Sequence, residues 1–150
     1  MTSGLLVIGY GNTLRSDDGV GARVAESIED LGVPGMRGFA CPQLTPELAD
    51  PVSRAAAVVF VDASAEGPRA PVRMRRLEPA ESSRLLTHAA EPSTVLALAR
   101  DAFGRAPEAW WLTVPAEDLG FGDRLSPVGR RGLKRAVETL KAFHRGRSAE

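Results

Sequence analysis

The chain has 150 residues, 19 Lys and Arg against 19 Asp and Glu, a formal net charge of zero and one cysteine. That balance argues against bulk electrostatic binding to nucleic acid or an anionic membrane. The lone Cys41 excludes an intrachain disulfide and fits a reducing compartment, and no stretch approaches the ~20 apolar residues of a membrane span. A single domain over residues 1–150 is expected, large enough to bury its own core. No basic segment precedes the first apolar run, so no secretory leader is expected and the chain reads as cytoplasmic.

Leu5-Leu6-Val7-Ile8 is an unbroken apolar run closed by Gly9, the pattern of a strand buried on both faces. A helix is expected next, with Ser16 or Asp17 as cap, Val20, Val24, Ile28 and Leu31 as its apolar stripe, and Gly32 and Pro34 ending it. Met36–Cys41 reads as a weaker strand. Thr45-Pro46 predicts a cap and a proline-opened helix running to about Arg54. Ala55–Val61 is the clearest strand, ending at Asp62. Gly67-Pro68 marks a turn, and Val72, Met74 and Leu77 suggest a less buried edge strand.

Residues 78–91 read as irregular, with His88 among them. Pro92 opens a helix with Val95, Leu98, Ala99 and Ala102 on one face, stopped by Gly104. Trp110–Val114 is the last strand, its two indoles on opposite faces. After a long loop, Ser126-Pro127 opens a final helix with Leu133, Val137, Leu140 and Phe143 inward, and a frayed tail is expected from Arg145. Alternating strands and helices predict an α/β class: a three-layer, doubly wound sandwich with a mostly parallel five-stranded sheet and helices on both faces.

The glycines after the first strand invite a dinucleotide-binding reading, but Leu14 stands where the third glycine belongs and no Gly-Lys-Ser/Thr follows. Asp17 and Asp18 would also repel a pyrophosphate at that helix start. A different chemistry fits better. Asp18, Asp62 and His88 each lie just past an apolar strand or ahead of a helix, where open α/β sheets bind ligands. Two carboxylates and an imidazole suit a divalent metal ion.

Plainer roles compete. An acid in a first helical turn complements the helix dipole by ~0.3–1 kcal/mol, and that role suits Asp17. Asp62 alone could cap a loop, His88 alone could be solvated, and His144 reads as a solvated residue near the end of the last helix. Cys41 reads as a small apolar side chain rather than a nucleophile. The clusters Arg73, Arg75, Arg76 and Arg130, Arg131, Lys134, Arg135 read as solvated surface.

Gly9-x-Gly11-Asn12-x-Leu14-x-x-Asp17-Asp18-Gly19-x-Gly21, the Val61-Asp62-Ala63 strand end, His88 before a Leu/Ala-rich helix, and Leu125-Ser126-Pro127 resemble the hydrogenase maturation endopeptidases. The resemblance runs in order over nearly the whole chain. It implies a hydrolase, an aspartyl-type endopeptidase that trims a C-terminal extension from a [NiFe] hydrogenase large-subunit precursor. By the same resemblance Asp18, Asp62 and His88 contact the metal, Asp18 and Asp62 are catalytic, and nickel arrives with the precursor rather than being held permanently. The family often has glutamate where Asp18 stands. The segment holding Cys41, Gln43 and Leu44 is the one tied to substrate recognition; it is close to a branch with His-Gln-Leu but lacks that histidine. Two rivals remain open: a nickel-binding maturation chaperone without peptidase activity, and a small-molecule metallohydrolase.

Overall fold

Continuous apolar runs become central strands here because both faces of the sheet are covered. The computed structural model describes residues 3–81 and 91–148. In chain order these form β1 (Ser3–Tyr10), α1 (Val20–Leu31) after a 3-10 turn at Ser16–Gly19, β2 (Met36–Cys41), α2 (Ala49–Arg54) after a 3-10 turn at Pro46–Leu48, β3 (Ala55–Ala63), β4 (Arg73–Leu77), α3 (Pro92–Phe103), β5 (Glu108–Val114) and α4 (Pro127–Ser148).

The strands form one sheet in the order β2-β1-β3-β5-β4. The first four are parallel, and β4 pairs antiparallel with β5 at the edge. The two-residue alternation divides the core. Leu5, Val7, Val59 and Leu112 pack beneath Val24 and Ile28 of α1 and Leu140 of α4. Ile8, Val58 and Phe60 pack beneath Val52 of α2 and Val95 and Leu96 of α3. Helices thus cover both faces, giving the expected three layers. Burying each large side chain of this kind contributes roughly 1.5–3 kcal/mol.

Five details differ from the sequence expectation. Leu31 is 48% exposed, because α1 has cleared the sheet by its last turn and ends there on Gly32 at φ +62°. The inward face of α3 includes Thr94, Leu96 and Ala97, while Ala102 faces solvent. Neither Thr45 nor the residues at the start of α1 make a side-chain capping bond. And α4 does not fray at Arg145: it continues to Ser148, held where Arg147 meets Glu108 at 2.8 Å and lies over the Trp110 ring. His144 is likewise docked, its Nε2 2.9 Å from the Pro34 carbonyl. His88 lies outside the described residues. No helix among the described residues is long and apolar enough to cross a membrane.

Candidate functional site

Glycines bring the start of α1 down onto the strand ends. A Cβ on Gly9 would fall 1.9 Å from the Gly21 carbonyl oxygen, and one on Gly21 would fall 2.3 Å from that of Val61. Gly11 takes φ +142°, and a Cβ there would meet the Asp18 carbonyl oxygen at 2.0 Å. Any larger residue would push the 3-10 turn off β1 and β3. These glycines serve backbone contact rather than a phosphate.

That contact sets the turn bearing Asp18 against β3, near enough for its charge to act on Asp62. Asp18 is half-buried, and its Oδ2 accepts the Asn12 N–H at 3.0 Å. Asn12 Oδ1 in turn accepts the Leu14 N–H at 2.9 Å, so the turn is fixed at both ends. Asp62 is the last residue but one of β3, and its Oδ1 accepts the Ala63 N–H at 2.8 Å. Burial pushes its carboxyl up to about 6; the Asp18 charge adds to this, while the Ala63 N–H and the Tyr10 hydroxyl oppose it. Neither acid has a basic partner among the described residues. Two carboxylates at one sheet edge, neither paired with a base among the described residues, repel each other.

Tyr10 and Trp111 border the site; Tyr10 was not singled out from the sequence, and Trp111 only as one of two indoles on opposite faces of its strand. Tyr10 ends β1 with the same parity as Ile8, which turns it toward the face of α2 and α3, where Trp111 also packs. Burial first, then the Asp62 charge, raises the Tyr10 phenol well above its usual range, with the Trp111 indole opposing. Trp111 Nε1 itself is buried and closes no hydrogen bond among the described residues. The available signal was positional: a tyrosine ending an apolar strand, one residue past Gly9, which pairs with Val61 just before Asp62.

Cys41 is half-buried next to Tyr10, its Sγ 3.9 Å from the Gly9 carbonyl oxygen, and burial raises its thiol pKa. It is therefore a neutral thiol, not an activated nucleophile. Gln43 is exposed. Leu44 is 3% exposed in the core with Leu48 and Phe60, so it anchors its segment rather than presenting a side chain. The helix α3 precedes a parallel strand and therefore opens at this same edge. Among the described residues no three His, Cys, Asp or Glu side chains form a metal cluster; His88, the expected third contact, is outside them.

Asp17 has a role the sequence reading did not foresee. It is fully buried. Its Oδ2 accepts the Glu117 N–H at 2.8 Å, the Asp118 N–H at 3.0 Å and the Ser126 hydroxyl at 2.5 Å, and its Oδ1 accepts the Ser126 N–H at 2.8 Å. Burial alone would raise its pKa, but these four bonds outweigh it and hold the carboxyl below its ordinary value. Ser126 Oγ accepts the Gly129 N–H at 3.1 Å, the usual cap of α4. A capping box would place Glu or Gln at position 129 to bind the cap's own N–H. Here Asp17 supplies that carboxylate from across the molecule, and Gly129 makes room: a Cβ there would lie 2.3 Å from Asp17 Oδ1.

The same contact joins two loops. Ser16 N–H donates to the Gly122 carbonyl at 2.9 Å, Gly122 N–H to the Leu14 carbonyl at 2.9 Å, and Asp17 N–H to the Asp118 carbonyl at 2.8 Å. Ser16 Oγ donates to the Gly120 carbonyl at 2.9 Å. Ser16 sits at φ +52°, a conformation unusual outside glycine, and is held there by bonds on both sides.

No protein-family model matches the chain, and no curated protein sequence matches it. Solved structures do. The hydrogenase maturating endopeptidase HybD from E. coli is 24% identical over 95% of this chain and 93% of its own, with a TM-score of 0.71. The [NiFe] hydrogenase maturation protease HycI from Thermococcus kodakarensis KOD1 is 20% identical over the same shares, with a TM-score of 0.72. The [NiFe] hydrogenase maturation protease HybD from Thermococcus kodakarensis is 22% identical over 94% of this chain and 99% of its own, with a TM-score of 0.67. The chain has the fold of these proteins, as its motifs led one to expect.

Proposed function

We propose that this protein is a hydrogenase maturation endopeptidase that removes the C-terminal extension of a nickel-loaded [NiFe] hydrogenase large-subunit precursor. The observation that carries the reading is the pair Asp18 and Asp62 at one sheet edge, where the Asp18 charge acts on Asp62 and neither acid has a basic partner among the described residues. The motif order and the named neighbours support it.

A divalent ion fits this donor set, since it supplies the counter-charge that the paired carboxylates lack. Asp18, Asp62 and His88 hold the precursor's nickel, a borderline ion suited to oxygen and imidazole donors. When bound, it polarises the scissile carbonyl. The remaining work falls to the chain. Asn12 fixes the Asp18 carboxylate. The Ala63 N–H fixes the Asp62 carboxylate, and the Tyr10 hydroxyl lies beside it. Exposed Gln43, on the segment anchored by Leu44 and bordered by Cys41, contacts the precursor. An unloaded precursor leaves the two carboxylates facing each other uncompensated and docks poorly, so discrimination comes from a missing charge. The reaction takes place in the cytoplasm.

Mass spectrometry of a large-subunit precursor after incubation with this protein, with and without nickel, tests the reading. Loss of the extension is expected only with nickel. Asp62→Ala and His88→Ala should fold and leave the precursor intact, and full cleavage by both would refute the site assignment. Nickel transfer with the extension still attached would identify a carrier instead.

A further inference from the structure

We propose that Leu14, Arg15, Leu119 and Phe121 form a docking platform for the substrate polypeptide, specific for a bulky apolar side chain next to a carboxylate. The platform deepens the peptidase reading and rests on it.

Leu14 is 66% exposed, Leu119 51% and Phe121 89%. Single exposed apolar residues are ordinary, but three on adjoining loops make a patch. These loops are not slack. A bridge joins Arg15 to Gly122, and the bonds of Ser16 and Asp17 to the 118–122 backbone lock the two segments into one body. A surface presented this rigidly loses little conformational entropy when a partner covers it.

Arg15 defines what the partner must carry. Its Nε donates to the Leu119 carbonyl at 3.2 Å, and its guanidinium lies 5.2 Å from the Phe121 ring centroid. The head group is thereby oriented, while its terminal amino groups have no partner among the described residues. A fixed guanidinium with its outer edge open matches a carboxylate in a two-bond geometry. The apolar surface of Leu14, Leu119 and Phe121 beside it matches a large apolar side chain.

Continuity identifies the occupant. Leu14 and Asp18 belong to one turn, tied through Asn12, so the platform adjoins the Asp18–Asp62 edge. A polypeptide held with a peptide bond at that edge has this platform as its neighbouring contact.

The test compares wild type, Phe121→Ser, Arg15→Lys and, as a control on an exposed aromatic elsewhere, Phe103→Ser. Binding of a nickel-loaded large-subunit precursor is measured by titration calorimetry, and its processing by mass spectrometry. Phe121→Ser is expected to weaken precursor binding roughly tenfold and to raise KM more than it lowers kcat, as loss of a contact surface does. Arg15→Lys keeps the charge but loses the fork, and it should weaken binding severalfold. Phe103→Ser should match wild type, and all melting temperatures should agree. If wild type binds the precursor without cutting it, the peptidase reading fails, and the affinities alone decide the platform. Equal affinity for wild type and Phe121→Ser overturns the platform, as does failure of wild type to bind the precursor. A dimer in sedimentation that Phe121→Ser dissociates also overturns it, by assigning the patch to a second copy of the chain.

Discussion

Asp17 and Asp18 are adjacent and chemically identical, and the structure predicts opposite consequences for removing each. Asp17→Ala deletes a fully buried carboxylate and leaves the N–H groups of Glu117, Asp118 and Ser126 without their acceptor. Glu117 and Asp118 are exposed residues, so water relieves part of that loss. Counting about 1 kcal/mol for each stranded donor and as much again for the vacated space gives roughly 3–4 kcal/mol. That is a large share of the ~5–15 kcal/mol typical of a domain. At about 2–4 °C per kcal/mol for a chain this long, the melting temperature should fall by ~10 °C.

Asp18→Ala loses one hydrogen bond on a half-exposed side chain and relieves the repulsion on Asp62. It should cost about 1 kcal/mol or less. Calorimetric melts of the metal-free variants at pH 7 would check the ordering, and precursor processing should be abolished by Asp18→Ala. A pH series adds a second reading. The folded pKa of Asp17 lies below the unfolded 3.8, so its contribution is complete above that pH and fades as pH falls through the folded value. The gap between wild type and Asp17→Asn should therefore close only below about pH 4. Asp18→Ala melting as low as Asp17→Ala, or a gap that stays constant down to pH 2, would refute the assignment of roles.

Asp62 has the opposite sign. Its folded pKa of about 6 exceeds the ordinary 3.8, so metal-free protein should gain stability as pH falls from 7 toward 5. Asp62→Asn should abolish that gain and melt higher at pH 7 by the equivalent of roughly 3 kcal/mol at most. Gly21→Ala would drive a Cβ into the Val61 carbonyl and lift α1 from β3. Processing should drop at least tenfold, and a crystal structure should show Asp18 displaced from Asp62. Gly129→Ala would collide with Asp17 Oδ1 and should reproduce most of the Asp17→Ala loss in a thermal melt.

What the sequence discloses follows the range of each interaction. Leu5–Ile8 and Ala55–Val61 are legible as central strands because their burial on both faces is written into consecutive residues. The antiparallel edge strand β4 alternates weakly, and its partner is set by tertiary packing. The placement of Asp18 and Asp62 on one sheet edge was readable, since both positions lie at strand exits that a parallel sheet gathers there. The role of Asp17 was not, because its acceptor sites are filled from residues 100 to 109 positions later. Local pattern suggested a dipole-compensating acid there. The one clue was the Ser126-Pro127 helix start with Gly129 where a capping acid belongs. Tyr10 was passed over for a related reason: its significance lies in the neighbours that β3 and β5 bring beside it.

The borrowed cap on α4 has a consequence for biosynthesis. A nascent chain that has emerged only through β3 already owns both acids of the cleft, yet the turn bearing them has nothing to brace against. Only when the ribosome has delivered Glu117 through Ser126 can Asp17 seat itself, and closing so long a loop is a late and entropically demanding event. The turn that carries Asp17 and Asp18 is thus braced only after all five strands and the loop that follows β5 have been made.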